Sequence, residues 1–107
     1  MHWNTLKKIK EVKIPFSTYD VVYKKDVKDM GKILYGDIDH NCEIIRVSER
    51  FSERRQIQTI VHETLHGINF DMGLPDVEKN VEMLAGTLIY FIQHNPELIE
   101  EIQKVKG

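Results

Sequence analysis

The run His62-Glu63-Thr64-Leu65-His66 combines residue types that do hydrolytic chemistry. On an α-helix, residues four apart stack on one face, so both imidazoles can turn a ring nitrogen toward one ion. Zinc takes neutral imidazole nitrogens at roughly 2.0–2.1 Å in a tetrahedral shell. Glu63 leans to the edge of that face, close enough to reach a water on the metal but not the metal itself. Zinc acidifies such a water, and a neighbouring carboxylate takes its proton as it attacks a polarised carbonyl. A purely structural site has no use for that carboxylate. His62 and His66 are therefore expected to bind Zn2+, with Glu63 as general base.

Catalytic zinc usually has a third protein ligand and one open position. In an antiparallel helix hairpin, residues equidistant from the turn sit side by side. With the turn centred on Leu74, Glu82 is level with His66 and is expected to complete a His-His-Glu site. Glu78, one turn earlier on the same face, is its rival and is otherwise a surface carboxylate.

The elements that must hold these residues form a strand-rich front half and a helical back half, an α+β pattern. Glu11 to Phe16 and Thr18 to Lys24 are rich in Val, Ile, Tyr and Phe, and Pro15 confines the first to an edge or a strand end. Asp26 to Gly31 reads as a polar connector. Ile33 to Asp39 and Cys42 to Ser48 read as a hairpin around Asp39-His40-Asn41, with Ile45 and Val47 on one face. Ser52 is an N-cap. Ile57, Ile60, Val61, Leu65 and Ile68 then recur at helical spacing to Asp71-Met72. Gly73-Leu74-Pro75 stops that helix and restarts the chain. A second helix is predicted from Asp76 to His94, and Asn95-Pro96-Glu97 opens a short third.

With 107 residues, the chain is expected to form one domain over 1–107. The net charge of −2 gives no bulk attraction to nucleic acid or anionic membrane. The lone cysteine, Cys42, allows no internal disulfide, and the N-terminal run lacks an apolar signal core. The longest apolar stretch, Leu84 to Ile92, is too short to span a bilayer. These features point to the cytoplasm.

The runs Gly36-Asp37-Ile38-Asp39, Glu43-Ile44-Ile45-Arg46-Val47 and Gln58-Thr59-Ile60-Val61-His62-Glu63-Thr64-Leu65-His66-Gly67-Ile68 resemble small phage and prophage metallopeptidases of the ImmA/IrrE type. Val81-Glu82-Met83-Leu84-Ala85 and Asn95-Pro96 fit the same proteins. The resemblance runs from about Lys10 onward, and the HExxH core is its specific part. It implies a minimal zincin-like fold, with a small twisted sheet of three or four strands on the HExxH helix, a second ligand-bearing helix and a short C-terminal helix. It implies Glu82 as the gluzincin-like third ligand, a protein or peptide substrate, and a phage regulatory role such as cleaving a repressor. It also implies that Cys42–Ser48 is the edge strand that pairs with extended substrate. Two departures stand out. Larger gluzincins often carry an aspartate four residues after the ligand glutamate, where this chain has Gly86, so a histidine must be oriented from elsewhere, such as Asp71 or a backbone carbonyl. The gap from HExxH to the glutamate is also short for the family.

Other residues are read as structural. Tyr19, Tyr23, Tyr35 and Tyr90 are each able to stabilise an oxyanion, and packing is the default for all four. His94 caps the second helix. His40 and His2 are expected to face solvent, Cys42 to be a strand residue, and Arg46, Arg50, Arg54 and Arg55 to form a solvated basic face. The N-terminal residues are able to cover the cleft in a latent form. Two other readings keep the same residues: a non-enzymatic zinc-binding interaction module acting on a phage or host regulator, and a metal-free remnant. The intact Glu63 argues against the first and the intact ligands against the second.

Overall fold

A computed structural model describes residues 8–106. The expectations for His2 and for an N-terminal cover over the cleft lie outside the described residues. The chain forms β1 (Glu11–Ile14), β2 (Ser17–Lys24), β3 (Val27–Asp29), β4 (Lys32–Leu34), β5 (Gly36–Asp39), β6 (Ile44–Ser48), α1 (Glu53–Met72), α2 (Glu78–His94) and α3 (Pro96–Lys104). This is an α+β architecture. A four-stranded mixed sheet has the order β1-β2-β6-β5, and β3-β4 form a separate hairpin.

Pro15 ends β1, and Pro15-Phe16 turns the chain so that Ile14 pairs with Ser17. β2 then runs parallel to β6, with Val21 opposite Ile45 and Tyr23 opposite Val47. Alternation along each strand sends Tyr19, Val21, Ile45 and Val47 to one face, where Ile60 of α1 closes the core. Ile45 and Val47 are fully buried, as their spacing predicts.

Three expectations are corrected. The segment 26–31 is no mere connector. It holds β3 and a tight turn in which Met30 and Gly31 both have positive φ, as a primed hairpin turn requires. Ile33 and Leu34 pair with that hairpin, so the strand facing β6 begins only at Gly36. Finally, β6 is an interior strand. The edge is β5, because the β3-β4 detour brings the chain back along the outer side of β6. Buried Ser48 fastens the detour: its hydroxyl donates to the Leu34 carbonyl (2.6 Å) and accepts from the Val27 amide (2.8 Å).

α1 begins where Ser52 accepts from the Arg55 amide and ends at Gly73, which is left-handed with φ 66°. Two glycines let it lie close to the sheet. A Cβ on Gly67 would sit 3.3 Å from the Tyr19 ring and 3.4 Å from Ile38. A Cβ on Gly36 would sit 2.4 Å from the Arg46 carbonyl oxygen and 2.6 Å from Thr59 Cγ2. Among the described residues, no helix is long and apolar enough to cross a membrane.

The Gly36 contact generates a test. Because a backbone oxygen cannot rotate away, Gly36→Ala is expected to lower stability by about 2–3 kcal/mol, read as an earlier urea midpoint with an unchanged slope. An unshifted midpoint would mean that Gly36 does not lie this close to Arg46 of β6 and Thr59 of α1.

Candidate metal centre

His62 and His66 stand one turn apart on α1, with their Nε2 atoms 3.2 Å apart. Glu78 opens α2 and lays its carboxylate across both: Oε1 is 2.7 Å from His66 Nε2, and Oε2 is 2.9 Å from His62 Nε2. One ligand atom from each of the three residues lies within 4.8 Å of the others, close enough to hold one metal ion. The donor set fits: each imidazole offers a lone pair and the carboxylate a negative oxygen. Packed this tightly, the three have an interest in a shared cation.

The structure brings Glu78 to the imidazoles, and Glu82 is not in that group. Equidistance from Leu74 presumed helices that turn symmetrically about that residue. Instead residues 73–77 are all outside the helices, so α2 begins two residues later than predicted and its first residue ends over the imidazoles. Glu82 lines the same cleft one turn further on.

Asp76 was not singled out by the sequence, where it reads as a helix start. In the connection it sits 2.8 Å from His66 Nδ1 and also accepts from Asn69 Nδ2 at 3.0 Å. A carboxylate on Nδ1 fixes the ring and keeps its proton there, leaving Nε2 free to bind metal. Burial opposes ionisation of both partners, but the pairing outweighs it: the Asp76 carboxyl is held below its usual range and the His66 imidazole above its own. No spacing rule connects residues ten apart across a turn, so only the fold reveals this contact. Asp71, one of the two orienting groups expected, instead accepts from Ser17 Oγ at 2.5 Å.

Glu63 is buried beside His62. Burial pushes its carboxyl up to about 7; the His66 charge pulls it down, and Glu78, Asp37 and Asp76 add to the rise. The cleft it faces has a volume of about 180 Å³ and is bordered by Leu34, Tyr35 and Gly36 on the sheet side and by Arg55, Gln58 and Glu82 on the helices.

Of the four tyrosines, Tyr35 lines this cleft, with the Arg55 guanidinium 4.2 Å above its ring. Tyr19 is buried under the sheet, the Tyr23 hydroxyl donates to the Ile9 carbonyl, and Tyr90 stacks on His94. His94 Nδ1 reaches the Tyr90 carbonyl at the end of α2, in keeping with a cap. His40 does not simply face solvent: its Nδ1 lies 3.1 Å from the Tyr19 hydroxyl and its ring stacks on Phe70. Cys42 is exposed in the β5-β6 turn rather than in a strand, its amide held by Asp39. The arginines are not one solvated face, because Arg46 pairs with Asp37 and Arg50 with Asp26. The chain matches no family model, no curated protein and no solved structure.

The burial of Glu63 has a pH signature in metal-free protein. A carboxyl raised from 4.5 to about 7 contributes stability that is full below pH 4.5 and lost as pH climbs through 7. The raised His66 acts in the same direction at higher pH. Chelator-treated protein is therefore expected to lose stability between pH 4.5 and 8. Glu63→Gln should unfold later than wild type at pH 8, by at most about 3 kcal/mol, and lose that advantage at pH 4.5. Parallel curves for the two proteins would show that Glu63 is not buried in this way.

Proposed function

We propose that this chain is a zinc-dependent metallopeptidase with a zincin-like fold, of the ImmA/IrrE type that its motif resembles, cutting a protein substrate in the cytoplasm. The observation that carries the reading is the buried carboxylate of Glu63 in the same cleft as the His62, His66 and Glu78 donor atoms. A cluster that merely held metal would gain nothing from burying a second carboxyl beside it, at a cost in stability near neutral pH.

Zinc bound there would supply a Lewis acid for the scissile carbonyl and an acidified water as nucleophile. His62, His66 and Glu78 are its ligands, and Asp76 holds His66 in the tautomer that ligation needs. Glu63 accepts the proton of the attacking water and passes it to the leaving amine. A carboxyl whose basicity is raised by burial suits that double duty. The edge strand β5 borders the cleft through Gly36, and its unpaired backbone groups suit an extended peptide. With Glu78 as ligand, the position four residues on is Glu82, a carboxylate where larger gluzincins carry aspartate.

Zinc content decides between the ligand sets. Protein purified without added metal or a histidine tag should hold one zinc per chain by elemental analysis. His62→Ala and Glu78→Ala should lose it, and Glu82→Ala should keep it. Loss in Glu82→Ala with retention in Glu78→Ala would return the third ligand to Glu82, and wild type that takes no zinc on reconstitution would sink the metallopeptidase reading. Asp76→Ala should weaken zinc binding by about 10–100-fold, by competition with a chromogenic chelator; undiminished affinity would remove Asp76 from the site.

Catalysis is tested by labelling new N-termini in a cytoplasmic extract. Wild type should generate cleavages that Glu63→Gln, with full zinc, does not. Identical profiles for the two would favour the interaction module.

A further inference from the structure

We propose that this chain forms a symmetric dimer in which α3 of each copy fills the open groove between α1 and α2 of the other. The two helices touch through Val81 and Ala85, which are buried, and part toward the start of α1 and the end of α2. The gap between them has a volume of about 710 Å³. Ile57, Ile89 and the ring of Tyr90 line it, Gly86 leaves its floor open, and Glu53 and Arg54 stand on its rim. Nothing within the described residues fills it.

α3 is a helix in need of a surface. Leu98 and Ile102 fall along one stripe of α3 and are 47% and 55% exposed, Val105 just past its end is 72% exposed, and α3 has no buried residue. Beside the stripe lie Glu97, Glu101 and Lys104. Lys104 and Glu101 pair with each other at 3.2 Å on the exposed side of α3, a contact weak enough to exchange. Re-partnered on the groove rim, Glu97 and Glu101 complement Arg54, while Lys104 complements Glu53. Among the described residues, Arg54 has no ion-pair partner.

The chain's own α3 cannot be the occupant. A single residue, Asn95, separates α2 from α3, so α3 cannot fold back into a groove that its own α2 borders. One short helix in one groove buries on the order of half of the roughly 800 Å² per partner that a stable interface needs. Reciprocal docking doubles that area and closes the assembly, as two-fold symmetry requires.

The test is sedimentation equilibrium of the full chain from about 1 to 100 µM. Wild type is expected to approach twice the 12.6 kDa chain mass. Leu98→Glu and Ile102→Glu should each weaken association by about 100-fold or more. Both positions are exposed in the monomer, so far-UV circular dichroism and zinc content should not change. Arg54→Glu should weaken association about tenfold, and adding Glu101→Arg should restore it. Wild type that stays monomeric at 100 µM would overturn the proposal and leave the groove to a different protein. So would a dimer indifferent to both the apolar and the charge substitutions.

Discussion

The close approach of α1 to the sheet is the constraint on which the site depends. It is set by two positions that carry no side chain. At Gly36 the edge strand meets Thr59 and the Arg46 carbonyl, and at Gly67 the helix meets Tyr19 and Ile38. A glycine inside a helix costs about 1 kcal/mol relative to alanine, so Gly67 is there for packing. With the helix pressed to the sheet, Glu63 loses most of its water while His62 and His66, turned toward α2, keep an opening. Burial of one carboxyl and accessibility of two imidazoles on adjacent positions of one helix follow from the same contact.

The second feature is a concentration of negative charge around two imidazole rings. Glu78 and Asp76 touch the imidazoles, Glu63 lies beside them, and Glu82 shares the cleft. Asp37 is partly neutralised by Arg46, but its charge still raises the Glu63 carboxyl. Such a set repels itself, and a divalent cation relieves that repulsion. Binding of a cation at this cluster would therefore be coupled to folding. This matters in a chain whose core reduces to a few side chains, chiefly Tyr19, Val21, Ile45, Val47 and Ile60. A cation held by His62, His66 and Glu78 would tie the start of α2 to α1.

Local pattern made much of this legible. Strand alternation placed Ile45 and Val47 in the core, Ser52 and Gly73 bounded α1, and the i, i+4 spacing aligned His62 with His66. Each is a short-range relation that the backbone period alone enforces. The β3-β4 hairpin escaped that reading because its turn is Met30-Gly31. Methionine rarely adopts positive φ, so no common turn pair announced it. The edge role of Cys42–Ser48 rests on the family resemblance alone, and the hairpin's detour is what places β5 outside β6.

The sequence by itself determined that a helix presents two imidazoles and an adjacent carboxylate, because those positions are related by one helical turn. Only the tertiary structure decided which glutamate faces them and which aspartate holds His66. Those contacts cross a connection whose five non-helical residues shift the register of α2 against α1, and no spacing rule reaches across it. Only the fold, too, made β5 the open edge of the cleft, since strand order depends on where a distant hairpin leaves the chain.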